Sequence, residues 1–227
     1  MRRIVNPLRH GLGPALVCAL AVHASEAMSA DSIEFTPVDF ETWSEGSFAG
    51  ETAYSRVSAR ATGTDHGALR ADCSGGTASG RLLEREVDLG RTPILEWRWR
   101  VDSVYEGLDE RTREGDDYPA RIYVIAQRWP AFRSRAINYV WSSRQPVGSV
   151  WDNAYSDAFA MVAVQSGDDG LGAWVTERRD VHADFQRLHG LDVDTALMTD
   201  CDDAGQSTMA WYGPIRWLPA PPPTPAR

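Results

Sequence analysis

The chain has 227 residues and no lysine; all 23 of its basic side chains are arginine. Every positive centre is therefore a planar fork suited to carboxylates, although biased codon use accounts for such a composition without any functional cause. Positive charge is short overall, because the formal net charge is −9 and becomes more negative once a leader carrying Arg2, Arg3 and Arg9 is removed. That balance excludes nucleic acid as a partner. Histidine is sparse: beyond the leader stand only His66, His182 and His189, with no cysteine or histidine cluster near any of them. A zinc site needs at least three such ligands converging, so transition-metal chemistry is excluded too. After residue 30 no segment approaches the roughly 20 apolar residues that a stable membrane span requires.

The first thirty residues read as a secretory signal: basic Arg2, Arg3 and Arg9, an apolar run from Leu12 to Val22 broken by Gly13 and Pro14, then small residues ending in Ala24, Ala27 or Ala30. Cys18 is an apolar member of that leader. Bulky Val17 stands where a bacterial lipid-attachment signal has a small residue. The expected location is periplasmic or secreted. Two cysteines remain, Cys73 and Cys201, and in an oxidising compartment they can form a disulfide or persist as two buried thiols.

Residues 31–217 read as one all-β domain, an antiparallel β-sandwich of jelly-roll type with one short helix. The clearest strand is 94–101, where strict alternation sends Leu95, Trp97, Trp99 and Val101 to one side and Glu96, Arg98 and Arg100 to the other. Further strands are expected at 33–35, 54–59, 69–73, 81–87, 121–127, 136–142, 158–164, 173–179, 195–200 and 209–217. The helix begins after Asp180, buries Val181, Phe185 and Leu188, and stops at Gly190, with His189 against its carbonyl end. Residues 218–227, rich in proline, read as a mobile tail.

Three motifs bear on chemistry. Asp72-Cys73-Ser74-Gly75-Gly76 differs from the nucleophile segment of trypsin-like proteases because Cys73 intervenes between aspartate and serine, and Gly75 to Arg81 lacks the lysine of a P-loop. Asp200, Asp202 and Asp203 surround a turn that would suit calcium if other loops completed the ligand set; otherwise they bond their own backbone, and no other cofactor is expected. Finally, if strand 121–127 lies beside strand 94–101, then Glu96, Arg98, Arg100, Arg121 and Tyr123 share a face bordered by Asp116 and Asp117. Such a face suits a glycan or an anionic small molecule, or is an internal ion-pair lattice. Trp151 and Trp129, in irregular segments, are the candidates for stacking on a ligand.

Residues 91–101 and 110–125, together with Ile137-Asn138-Tyr139-Val140-Trp141-Ser142-Ser143, Gly148-Ser149-Val150-Trp151, Glu177-Arg178-Arg179-Asp180-Val181, Ala196-Leu197-Met198-Thr199-Asp200 and Ala210-Trp211-Tyr212-Gly213, resemble a bacterial family known only as domain of unknown function 3047. The resemblance implies an exported β-sandwich, similar in architecture to carbohydrate-binding modules and some glycan-cleaving enzymes. At the aspartate-rich turn the family pattern reads Thr-Asp-Thr-Asp-Asn. Cys201 and Asp203 replace two of those residues, which favours a disulfide between Cys73 and Cys201. The leading expectation is a binding protein for a glycan or anionic envelope ligand, using Arg98, Arg100, Arg121, Tyr123 and Trp151. The alternatives are a hydrolase or lyase using Glu96, Asp116 or Asp117 as acid and base, and a structural envelope protein without a small ligand.

Overall fold

The computed structural model describes residues 32–189 and 194–221. In chain order its elements are β1 (Ile33–Phe35), β2 (Ser44–Ala49), β3 (Ala53–Val57), α1 (Ala59–Thr62), β4 (Ala68–Ser74), β5 (Ala78–Glu86), β6 (Ile94–Val101), β7 (Ala120–Ala126), β8 (Arg135–Ser142), β9 (Val150–Asn153), β10 (Ser156–Ser166), β11 (Val175–Asp180), α2 (Val181–Leu188), β12 (Asp194–Asp200) and β13 (Ser207–Leu218). One sheet runs β11-β6-β13-β4-β3, with β1 also paired to β13; the other runs β2-β5-β12-β7-β8-β10-β9. The two stack as a jelly-roll-type β-sandwich.

Alternation in β6 explains why the sheets face each other. Leu95, Trp97, Trp99 and Val101 are fully buried, while Glu96, Arg98 and Arg100 remain partly exposed on the opposite face. Trp97 lies 5.5 Å from Tyr139 and Trp99 lies 5.9 Å from Trp141, so β6 and β8 meet across one core. Removing an indole from water is worth roughly 5 kcal/mol for about 200 Å². That exceeds the ~1–3 kcal/mol penalty of an unpartnered indole N–H, a penalty incurred at Trp97 and Trp217.

The helix α2 starts as expected: the Asp180 carboxylate accepts from Ala183 N–H at 2.8 Å, and Val181 and Phe185 face the core. His189 instead turns its ring to the Ala136 carbonyl at 3.0 Å, away from the helix end. The expected stop at Gly190, the leader, and residues 222–227 of the tail lie outside the described residues.

The structure departs from the sequence reading in three further places. The edge strands β2 and β9 were not expected, since Ser-Glu-Gly-Ser-Phe-Ala and Val-Trp-Asp-Asn lack the apolar alternation of a strand with one buried face. After Val57 the chain turns into α1, capped by Ser58 and ended by Gly63 at φ 69°. Lastly, β8 and β10 pair in parallel, because the return between them is taken by β9, antiparallel to β10 at the sheet edge. In β13 the register against β6 shifts between Tyr212 and Ile215, which accommodates Pro214 without a broken ladder.

Cys73 on β4 and Cys201 just after β12 form a disulfide that joins the two sheets across a sequence separation of 128. The loop-entropy relation assigns such a closure about 5 kcal/mol. Replacing both cysteines with alanine should therefore lower the unfolding free energy by several kcal/mol in urea titrations. A change below about 1 kcal/mol would show that the closure contributes little.

Candidate functional site

The outer face of the β6 sheet is a lattice of paired charges. Arg100 Nε donates to Asp102 at 2.7 Å, Arg70 pairs with Asp72 at 2.7 Å, and both guanidinium groups lie 5.6 Å from the Trp211 ring, whose N–H donates to Asp102. Arg98 donates to His66 Nε2 at 2.7 Å and sits 3.6 Å from Asp65. That bond needs a lone pair on Nε2, so the neutral imidazole carries its proton on Nδ1, which faces the Gly67 carbonyl at 2.7 Å. A side chain at Gly213 would put its Cβ 2.9 Å from the same ring, so the strand is bare there to admit His66. Glu96 is shared by Arg178 and Arg216 at 3.7 and 3.5 Å.

Arg121 and Tyr123 are elsewhere. Their strand, β7, pairs with β12 and β8 in the opposite sheet, so the face expected to unite them with Glu96, Arg98 and Arg100 does not form. Alternation reports which way a side chain points and not which sheet its strand joins; that choice depends on partners distant in sequence. Arg121 does point outward, but the loop of residues 102–119 covers it. It is buried in an ion pair with Asp200, its guanidinium 5.4 and 5.1 Å from the rings of Tyr118 and Tyr123. Tyr123 also lines a small apolar groove of about 60 Å³ with Phe48, Leu82, Ile125 and Met198.

The covering loop is held by Glu110, which is fully buried and accepts from the Ser142 hydroxyl, from Ser143 N–H at 2.6 Å and from Gln145 N–H at 3.3 Å. Burial raises its pKa despite those bonds. Gly115 is required by a close approach, since a Cβ there would fall 2.4 Å from the Asp109 carbonyl oxygen. Trp151 is packed beneath the loop against Tyr118, at 6.4 Å, and its N–H donates to the Glu110 carbonyl. Its indole is thus part of a second, small core with Tyr118, Val140, Met161 and Ala163 and presents no open face.

Asp116 accepts from Asn153 at 2.6 Å and from Tyr118 at 3.1 Å, and burial raises its pKa. Asp117 is buried and accepts from Ala204 N–H; burial, reinforced by Asp202, pushes its carboxyl up to about 6. Neither is brought to Glu96, which lies on the outer face of the other sheet. At the aspartate-rich turn, Asp200 is drawn off to Arg121, whereas Asp117 joins Asp202 and Asp203.

The open surface lies between β7 and β8. Trp129 and Phe132 are 90% and 79% exposed, and with Arg128, Arg133, Arg135 and His189 they line a groove of about 730 Å³. Ser134 ties the loop together by accepting from Arg128 N–H at 3.0 Å, and Arg135 donates to the Phe132 and Ser134 carbonyls. Among the described residues no carboxylate pairs with Arg128, Arg133 or Arg135. Burial lowers the pKa of His189, with Arg135 acting in the same direction.

Residues 41–216 match a family described as "protein of unknown function (DUF3047)". The chain belongs to that family. No curated protein matches this DUF3047 member. Among solved structures it is similar to the family 11 carbohydrate-binding module of the cellulosomal cellulase Lic26A-Cel5E of Clostridium thermocellum, with 10% identity, a TM-score of 0.45, and coverage of 86% of this chain and 96% of that one. It is also similar to the catalytic domain of Humicola grisea Cel12A in complex with a thio cellotetraose, at 10% identity and a TM-score of 0.38, covering 82% and 93%.

Of the exposed groove, Trp129 was singled out in the sequence, whereas Phe132 and the three arginines were not. The run Gln-Arg-Trp-Pro-Ala-Phe-Arg-Ser-Arg (residues 127–135) has no strand period. Its readable signal is a density of rings and forks with no acid between them.

The buried Arg121–Asp200 pair gives a direct check on how the outer face is closed. Arg121→Ala should destabilise by about 3–5 kcal/mol because it strands a buried carboxylate, and Arg121→Met combined with Asp200→Leu should recover most of that loss. Equal stability of the single variant and wild type in urea would contradict the burial described here.

Proposed function

We propose that this protein binds an anionic glycan on the ridge formed by Trp129, Phe132, Arg128, Arg133 and Arg135. The observation that carries this reading is the combination of two exposed aromatic rings with three guanidinium groups that, among the described residues, have no carboxylate partners. Sugar C–H faces stack on aromatic rings, and a uronate or other acidic substituent takes an arginine fork in a bidentate bond. The arginines of the β6 face already end on His66, Asp65, Asp72, Asp102 or Glu34 and Glu96, so the internal lattice is the better account of Arg98 and Arg100. The same reading favours binding without turnover, since Glu96, Asp116 and Asp117 do not converge as an acid and base pair. The disulfide fits an oxidising compartment outside the cytosol. Among the described residues no helix is long and apolar enough to cross a membrane.

Isothermal titration with oligogalacturonate and with a neutral cello-oligosaccharide tests the proposal. Wild type should bind the acidic chain, with affinity falling as salt is raised. Trp129→Ala and the Arg133→Ala, Arg135→Ala pair should each weaken binding about tenfold or more, and Arg98→Ala should not. Unchanged affinity in the ridge variants, or no heat with the acidic chain, would remove the ridge as the binding site.

A further inference from the structure

The turn after β12 and the loop before β7 bring three carboxylates together from two segments far apart in sequence. Asp117, Asp202 and Asp203 each offer an oxygen, and these atoms lie within 4.8 Å of one another. Two carboxylates of the set are partly exposed, but Asp117 is fully buried. One of its oxygens accepts the Ala204 N–H, which aims the carboxylate at the turn carrying Asp202 and Asp203. Its other oxygen, Oδ1, is buried with no hydrogen-bond partner. A buried carboxylate oxygen without a donor is costly, and two more carboxylates alongside it raise the cost by repulsion.

The Asp203 N–H eases the Asp117 charge in part, but among the described residues no cation pairs with the cluster directly. Arg121 acts on Asp117 through its charge but is committed to a direct ion pair with Asp200. Arg113 lies over the Tyr155 ring at 5.2 Å and donates to the Ala154 carbonyl, while Tyr155 donates its hydroxyl to Asp203. Glu114 adds further negative charge near Asp203, and Asp116 is occupied by Asn153 and Tyr118.

We infer that Asp117, Asp202 and Asp203 form a calcium site that fastens the loop of residues 102–119 to the turn after β12. The donor set is all oxygen, with the neighbouring Cys201 consumed in its disulfide, so it suits a hard cation. Calcium accepts six to eight oxygens in irregular geometry, whereas magnesium demands a near-ideal octahedron, and an irregular pair of loops with one buried and two partly exposed carboxylates, completed by water, meets the looser requirement. The site stands apart from the proposed glycan ridge, so either can hold without the other.

The test uses the full exported chain after treatment with a chelator, titrated with calcium chloride or magnesium chloride and followed by calorimetry and thermal unfolding. One calcium should bind, and the midpoint should rise by roughly 5–10 °C at a calcium concentration about one hundred times Kd. Magnesium at equal concentration should give a much smaller rise. Asp203→Asn, on the partly exposed side of the cluster, should fold and lose most of the calcium-dependent rise, and Tyr155→Phe should keep it even though it removes the hydroxyl that bonds Asp203. No calcium heat and no midpoint change in wild type would overturn the inference. So would a calcium response undiminished in Asp203→Asn, or a magnesium response equal to that of calcium.

Discussion

Where this protein can meet an anion is decided by which of its guanidinium groups already hold a carboxylate. With no lysine, each cation has the same planar fork, and on the two broad sheet faces those forks are matched by neighbours: Arg70 by Asp72, Arg100 by Asp102, Arg216 by Glu34, and Arg121 by Asp200. Exposed pairs of this kind are each worth little in stability, about 0–1 kcal/mol. Their larger consequence is to neutralise the face. Among the described residues the arginines of residues 128–135 escape this matching, since their loop carries no acid, and they flank two highly exposed rings, Trp129 and Phe132.

The second organising feature is the cover over the outer face of the β7 sheet. Val140, Met161 and Ala163 together with Trp151 of β9 make that face apolar at one end, and the loop of residues 102–119 closes it with Tyr118. Glu110 supplies the hinge of this cover by accepting from the backbone at Ser143 and Gln145, and the disulfide secures the adjoining turn. The arrangement leaves Asp116 and Asp117 inside the cover, where burial raises both carboxyls. A charged loop in sequence is thus a packed, largely desolvated layer in the fold.

Much of the fold was legible because a strand with one buried face writes a period of two into its sequence. Trp97 and Trp99 follow that rule, as does the inward set of β8, and the cap at Asp180 announces α2 as clearly. Edge strands β2 and β9 carry no such signal because little of their surface must be buried. The candidate site was less legible. Arg121 and Tyr123 were assigned the right direction, yet their union with Arg98 and Arg100 required a strand pairing that local pattern does not encode, and β7 chose β12 and β8. Trp151 was read as a stacking surface because its segment is irregular, while the loop that buries it lies some forty residues earlier, as the bond from its N–H to the Glu110 carbonyl shows.

Hydrogen–deuterium exchange with and without a saturating acidic oligosaccharide measures the division between paired and unpaired arginines most directly. The account predicts new protection confined to residues 127–135 and the adjoining ends of β7 and β8, with β6, β11 and β13 unchanged. Protection appearing on β6 and β13 instead, over Arg98, Arg100 and Trp211, would show that the internal lattice opens to ligand and would contradict the account.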